Sequence, residues 1–565
     1  MTTQEIIDVL KQLIEHERLH LCNLEIHPSY GAYISPDSRL ADPSHVASSR
    51  FVFSAGLLLL AQQKKLTPTE FDSDLYKQVC LAAKFVLSSQ RPSGLIDLYS
   101  TNYNSSPDTA FILQQFAALL ELAQNNNHFT ELNEMLERFI RSAFAGVREG
   151  GFHTPNHRWV ICSALVQCKH LFADLEVQPV LDLYLQEGFD VDEDGAYLER
   201  SSGVYDTVTN NSLLLFSLHT DNTERKQAAQ EAVRKNLFWN RSLHHTDGSN
   251  EANLSRRQDY GIRQLALNLV PAYVFGYFVL GEEPFLETAA WIWQKRNVQA
   301  EFTPWLVYLV LRFGDIPNIA AKTPENINRF YAINKLWRNR QNDLSVSAYG
   351  GQTHLLNFVY GNAELSNLKI AQTYFNAGMF IADSMEVNDK QVVLESSGEQ
   401  KPRLPGYDLP LGQEVKPENW LELGKTRKYR PIPPAKSRLT LHLEDTTLQL
   451  YYQTLDGLDK VAAQISLDFP AGGIWESEDA LFMPLSGQTI LHKRGKARMI
   501  YGHDVIELSC GHFQQGYLAM RNSELQKPLQ VRVLLTFLTP VDFGFSLKCY
   551  QSVFNQSFPF SHESS

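Results

Sequence analysis

The sequence predicts a multidomain α+β protein: an N-terminal (α/α) toroid of helical hairpins over residues 1–320, then a C-terminal antiparallel β-sandwich over 327–565. Three observations predict it. Apolar residues recur at spacings of three and four up to about residue 315. From about residue 327 the period becomes two. In the helical half, short and long connections alternate, as they must when consecutive helices run antiparallel and successive links emerge at opposite ends.

The helical period covers 50–64, 72–90, 107–125, 129–147, 156–173, 177–188, 206–219, 222–238, 257–281, 285–296 and 301–313. Met1 to Leu13 reads as a further amphipathic helix. Ser106-Pro107-Asp108 and Thr154-Pro155 carry helix-start chemistry. Short links fall at Leu66–Thr69, Asn125–Asn127, Glu176–Pro179, Thr220–Asn222 and Gly281–Pro284. Long links rich in Gly, Tyr, Asn, His and Arg fall at 91–106, 148–155, 189–205 and 239–256. One end of the ring is therefore trimmed and the other elaborated, and elaborated loops on a rigid scaffold are where binding and catalysis concentrate. In the second half, Leu344–Tyr349, Leu439–Leu443, Thr447–Tyr452 and Val531–Thr536 alternate or are β-branched. Residues 401–436, with Lys401-Pro402-Arg403 and Pro431-Ile432-Pro433-Pro434, read as an excursion, and Ser557 to Ser565 as a frayed tail.

Composition narrows the function classes. A chain of 565 residues with 44% hydrophobic and 20% charged residues is a folded protein with more than one core. A net charge of −12 without a compensating basic run excludes nucleic acid as the expected partner. An anionic polymer would need a local basic patch against that background. Aromatics at 11% suit either rings that stack on sugars or the core of a large sandwich. The six cysteines show no metal spacing and read as buried free thiols of a reducing compartment. Met1 to Leu13 is interrupted by Asp8 and Lys11, so it is no signal peptide, and no apolar run reaches membrane-spanning length. The expectation is a cytoplasmic protein, or a periplasmic or secreted one from which an export signal has been removed, with no membrane partner.

Two polar, aromatic-rich segments run straight into helices: Thr154-Pro155-Asn156-His157-Arg158-Trp159, and Asp194-Gly195-Ala196-Tyr197-Leu198-Glu199-Arg200-Ser201-Ser202-Gly203-Val204-Tyr205. Together they supply an amide, an imidazole, guanidinium groups and phenols, which can grip a carboxylated sugar and move a proton. A third segment, Gly350-Gly351-Gln352-Thr353-His354-Leu355-Leu356-Asn357-Phe358, opens the β half. Two further loops face the same end. One holds Tyr99, Asn102 and Tyr103. The other leads to Arg256, Arg257 and Tyr260, where arginines can clamp carboxylates or sulfates.

These three segments on this architecture resemble the heparinase II/III-like polysaccharide lyases. The resemblance implies cleavage at C4 of a uronic acid by β-elimination, giving a 4,5-unsaturated product from an anionic polysaccharide or oligosaccharide. It implies that Asn156, assisted by His157 or Arg158, neutralises the uronate carboxylate, and that Tyr205 is the acid and, for one uronate stereochemistry, the base. A phenol, with a reference pKa of about 10, needs a nearby cation to act as a base at neutrality. Arg200, Arg256 and Arg257 are the candidates. Tyr197 and Glu199 fall on the same loop and join the substrate-binding set with Tyr99, Asn102, Tyr103, Arg158, Arg200, Arg256, Arg257 and Tyr260. His354 is a second catalytic group or the remnant of a metal position, because Gln352 stands where the family often has another histidine. No cofactor is required; a structural divalent metal would belong in the β-domain, yet His354, His442, His492, His503 and His512 lack close spacing.

Plainer readings stand beside these. Asn156 can cap its helix, Tyr197 and Tyr205 can anchor loops, and Glu199 can orient its loop. A glycoside hydrolase on the same toroid would draw paired carboxylates from Asp97, Asp108, Asp192, Asp194 and Glu199. A silent glycan-binding protein would use the tyrosines for stacking alone.

Overall fold

The structure, a computed structural model, describes residues 1–296, 301–373, 378–399, 408–430, 433–520 and 523–552. Of the excursion expected at 401–436, Lys401-Pro402-Arg403 and Pro431-Ile432 lie outside the described residues, as does the tail Ser557 to Ser565. The chain divides into two compact units, Met1–Pro324 and Glu325–Ser565.

The first unit holds twelve α-helices among the described residues: α1 (Thr3–Arg18), α2 (Ser48–Gln63), α3 (Ser73–Ser88), α4 (Ser106–Ala123), α5 (Thr130–Glu149), α6 (Pro155–Leu171), α7 (Gln178–Leu185), α8 (Tyr205–His219), α9 (Thr223–Leu243), α10 (Leu269–Leu280), α11 (Glu283–Gln294) and α12 (Thr303–Phe313). The even-numbered helices pack in sequence, α2 on α4, then α6, α8, α10 and α12, and α12 returns to α2. They form a closed inner ring, with the odd-numbered helices outside.

Sequence dictates which helix goes where. In α2, SSRFVFSAGLLLLAQQ, fourteen of sixteen residues are buried, because small and apolar side chains surround the axis and leave no solvated face. In α5 the buried set is one stripe, Leu132, Leu136, Phe139, Ile140, Ala143, Phe144 and Val147, as an outer helix requires. Asp72, Ser105 and Asn222 cap α3, α4 and α9 by accepting backbone N–H bonds from Leu75, Asp108 and Arg225 at 2.9, 3.3 and 2.9 Å. The inner helices run parallel to one another, so their N-termini share the end with the long links and their C-termini share the trimmed end.

Two expectations are corrected. Residues 257–268 are not helical. Helix α9 runs to Leu243, and the α9–α10 link occupies 244–268. Backbone bonds from Asn250 N to Gln264 O (3.0 Å) and Ala266 N to Gly248 O (3.1 Å) fold this stretch back on itself, and Gly261 takes a φ of 67°. Its apolar spacing is met by turns rather than by a helical face. The α1–α2 link, 19–47, is a further long connection at the same end that the pattern did not single out.

The second unit is a β-sandwich. A nine-stranded sheet has Thr447–Thr454, Asp542–Gln551 and Asp504–Leu508 among its central strands. A four-stranded sheet is built on Ala462–Pro470 and Gln530–Leu538, and a five-stranded sheet starts at Ile327–Tyr331. Leu439, Leu441 and Leu443 and, on the paired strand, Leu448, Leu450 and Tyr452 alternate inward into one core shared with Ile465, Leu467, Val533 and Leu535. Among the described residues the strands pair antiparallel, except that Thr489–Leu491 runs parallel to Gln530–Leu538 and Phe513 forms an isolated parallel bridge to Thr536.

Candidate functional site

The N-terminal ends of α6 and α8 bring the two sequence-marked segments together. Asn156 is the second residue of α6 and is fully buried. It does not cap its own helix. Its Nδ2 donates to both carboxylate oxygens of Glu199, at 3.0 and 2.7 Å, and to Thr154 Oγ1 at 3.2 Å, while its backbone N–H donates to Glu199 Oε2 at 3.2 Å. Glu199 is thus the group that caps α6, reaching in from the α7–α8 loop, where a carboxylate at a helix N-terminus is favoured. Burial raises the Glu199 carboxyl from its usual range, and Asn156 and Arg257 oppose that rise.

Arg257 carries the connection outward. Its guanidinium lies 3.2 Å from Glu199 Oε1 and 4.4 Å above the centre of the Tyr205 ring. Tyr205, the first residue of α8, donates from its hydroxyl to Gln258 Oε1 at 3.1 Å. Arg256 is exposed and lies close enough to Arg200 that, after burial, it contributes to depressing the Arg200 guanidinium. Arg200, Arg256 and Arg257 thus put three guanidinium groups on these two loops.

The loop is held from below. Asp259 accepts from Ser201 Oγ (2.9 Å), from Ser255 Oγ and from the Gly203 backbone (3.2 Å), and Tyr205 N–H donates to Ser201 Oγ at 3.1 Å. Beneath it runs a buried chain. Tyr197 Oη donates to Asn210 Oδ1 (2.9 Å), Asn210 to Asn236 Oδ1 (2.8 Å), and Asn236 and Asn240 donate to Asp206 Oδ2 at 3.2 and 3.0 Å. Burial, ahead of the nearby Asp259 and Glu199, pushes the Asp206 carboxyl up to about 6. Gly195 permits the close pass: its φ is 97°, and a Cβ there would stand 2.6 Å from Lys235 O.

His157 sits at the rim, edge-on to Phe111 at 5.9 Å and to His153 at 4.6 Å, and burial lowers it to about 4. His45, from the α1–α2 link, stacks on Phe111 at 4.3 Å. A cavity of about 140 Å³ opens beside them, lined by Phe111, Gln115, Thr207, Asn211 and Trp305 from the inner helices and by Asn268 just before α10.

The other residues marked by the sequence have the following surroundings. Arg158 is 1% exposed and is spent on Asp190 (2.6 Å), Glu187 (3.0 Å) and the carbonyls of Tyr184 and Gly188. Tyr197 is buried and anchors the loop. Asn156 has given its amide hydrogens to Glu199 and Thr154. Tyr99 and Tyr103 are exposed, with Arg91 stacked 4.6 Å from the Tyr103 ring, and Asn102 donates to Asp108 at 2.9 Å. Tyr260 is partly buried in the α9–α10 link. His354 belongs to the second unit, where it is 2% exposed, edge-on to Tyr349 at 5.3 Å, and driven well below the usual imidazole range by burial and then by Lys369 and Lys527. Among the acids of the hydrolase reading, Asp97 pairs with Arg91, Asp108 accepts from Asn102 and Ser105, and Asp192 accepts from Ala196 N–H. Gln258 and Asp259 lie in the stretch the sequence marked for its arginines but were given no role there, and Asp206 was not marked although it adjoins Tyr205. The six cysteines are free thiols. Among the described residues no helix is long and apolar enough to cross a membrane.

No sequence-family profile and no curated protein matches the chain. Solved structures do, and they give the fold as that of polysaccharide lyases. A heparinase III aligns with a TM-score of 0.52 at 11% identity, over 96% of this chain and 89% of that one. The Streptomyces coelicolor A3 chondroitin AC lyase, in complex with chondroitin sulphate, aligns with 0.52 at 11%, over 97% and 79%. The heparan sulfate lyase HepC from Pedobacter heparinus aligns with 0.50 at 10%, over 96% and 83%. Identity near one residue in ten carries the architecture, and the chemistry must come from this chain's own side chains.

Proposed function

We propose that this protein is a polysaccharide lyase that cleaves a uronic-acid-containing glycan by β-elimination at the elaborated end of its helical unit. The observation that carries the reading is the stacking of Arg257 on Tyr205, with Glu199 holding the guanidinium in place. In the reaction, the C5–H bond breaks and its electrons form the C4=C5 double bond as the C4–O bond breaks. The departing O4 takes a proton. Tyr205 must first give up its hydroxyl proton; as the phenolate it then takes the C5 proton and passes it to O4, so the phenolate is regenerated at the end of the turnover. The C5 proton is acidic enough only if positive charge meets the adjacent carboxylate, and Arg257, with Arg256 and Arg200 beside it, supplies that charge. The role first given to Asn156 passes to Arg257, and Asn156 becomes the residue that fixes Glu199. His157, neutral above its pKa of about 4, serves as a hydrogen-bond partner for the sugar rather than as a cation. The chondroitin AC lyase and the heparan sulfate lyase among the similar structures support a glycosaminoglycan-like polymer as the first to try.

The test is incubation with a panel of uronate polysaccharides, following the ultraviolet absorbance of the unsaturated product, with Tyr205→Phe and Arg257→Ala in parallel. Absorbance that rises with the natural protein and is lost in both variants supports the reading. New reducing ends without absorbance would overturn it in favour of hydrolysis. Unchanged turnover in Tyr205→Phe would remove the phenol from the mechanism.

A further inference from the structure

At the trimmed end of the ring, away from Tyr205, three inner helices finish on side chains that ligate metals. Glu121 lies in the last turn of α4, His170 in that of α6, and His219 is the last residue of α8. Their ligand atoms all fall within 4.8 Å of one another. His219 Nε2 is 3.2 Å from Glu121 Oε2, and His170 Nε2 is 3.7 Å from Glu121 Oε1. A tetrahedral ion with bonds of 2.0–2.1 Å separates its ligands by roughly 3.3 Å, which the His219–Glu121 spacing matches, while the half-exposed His170 ring has to turn inward to complete the set.

The hydrogen bonding of His219 makes the arrangement more than a coincidence of types. Its Nδ1 lies 2.8 Å from the Leu215 carbonyl, which only accepts, so the ring proton sits on Nδ1. Nε2 of the neutral ring is then a lone pair pointed at a carboxylate oxygen, two acceptors face to face. A cation between them, or a second ring proton, must resolve that repulsion. A backbone carbonyl on the far nitrogen is also the partner that orients a metal-bound histidine. Arg312, one residue from the end of α12, holds Glu121 Oε1 and leaves Oε2 towards His219. The converging helix C-termini present carbonyl oxygens and the negative ends of their dipoles, which favour a cation. His219 is buried while His170 is half exposed, which gives an entry path and room for a water as fourth ligand.

We propose that Glu121, His170 and His219 bind one divalent transition-metal ion of zinc-like chemistry, which ties α4, α6 and α8 together at the end of the ring opposite the elaborated loops. No residue of the proposed reaction takes part.

The test uses the full chain, treated with chelator, loaded with zinc chloride, desalted and assayed for metal, alongside His170→Ala and Glu121→Gln. His170 is exposed enough for its variant to fold, and Gln keeps the shape of Glu121. The expected result is about one zinc per chain in the natural protein and at least a tenfold loss of affinity in each variant. Cobalt substituted for zinc should show the visible absorption of a tetrahedral site in the natural protein alone. Absence of stoichiometric zinc would overturn the proposal. Zinc retained undiminished in both variants would overturn it equally, by placing the ion elsewhere.

Discussion

Replacing Asp206 with asparagine probes the buried chain beneath the Tyr205 loop. Asp206 accepts two amide hydrogens on Oδ2, while its Oδ1 is buried with no partner, the place a carboxyl proton would occupy. Its carboxyl titrates near 6 in the folded protein, raised first by burial. In the unfolded chain it titrates near 3.9, so at 1.36 kcal/mol per pH unit the folded state is disfavoured by about 3 kcal/mol once both forms have ionised. The sign is set by the raised value. Below about pH 4 both states are protonated and nothing is lost, and the destabilisation grows as pH rises from about 4 to 6 and is complete above. Asparagine keeps the acceptor for Asn236 and Asn240 and carries no charge. It leaves one buried amide hydrogen pair unsatisfied, at a cost that does not vary with pH. The assay is urea unfolding of both proteins followed by far-ultraviolet circular dichroism. The stability of the variant relative to the natural protein should improve by about 3 kcal/mol between about pH 4 and pH 8. A relative stability that is flat with pH to within about 0.5 kcal/mol would refute the reasoning and make Asp206 an ordinary ionised acid.

Other outcomes follow from the same geometry. Glu199→Gln sets an amide against Asn156 Nδ2 and breaks the Arg257 ion pair, and should cost about 1–3 kcal/mol in denaturant unfolding together with a fall in turnover on the responding polymer. Gly195→Ala forces a side chain at a φ of 97° against Lys235 O, and should lower the melting temperature through a strain of about 1–3 kcal/mol. Arg158→Met strands Asp190 in the core and should cost about 3–5 kcal/mol while leaving KM unchanged, because Arg158 is walled off from solvent. The His157 ring should titrate by NMR near 4 rather than near 6.5, so any acid limb of the activity profile due to it lies there.

The helical ring was legible because its inner and outer helices are written in two different apolar patterns and its links in two lengths. The sheet strands were legible because inward leucines alternate, as at Leu439 to Leu443. The stretch 257–268 misled because apolar residues spaced three and four apart also serve turns, and nothing local announces that Asp259 will spend its carboxylate on Ser201 and Ser255. Asn156 and Tyr205 were found as a pair, yet which hydrogen bonds each makes depends on Glu199 and Arg257 arriving from other loops. Arg158 illustrates the same limit: a guanidinium beside a polar loop looks available until Asp190 and Glu187 fold over it. His45 had no motif, only a position above Phe111 that the fold creates.

The inner ring closes where α12 packs on α2 and α1, with Thr3 Oγ1 donating to Asp315 Oδ1 at 2.9 Å. A cycle has no obligatory first member. The two ends of the helical unit are neighbours, so a short peptide could join them while new termini opened in a trimmed turn such as 124–127, and every elaborated loop would stay where it is. The order in which the hairpins are threaded along the chain is thus a matter of ancestry, whereas their order around the ring is what the loops depend on.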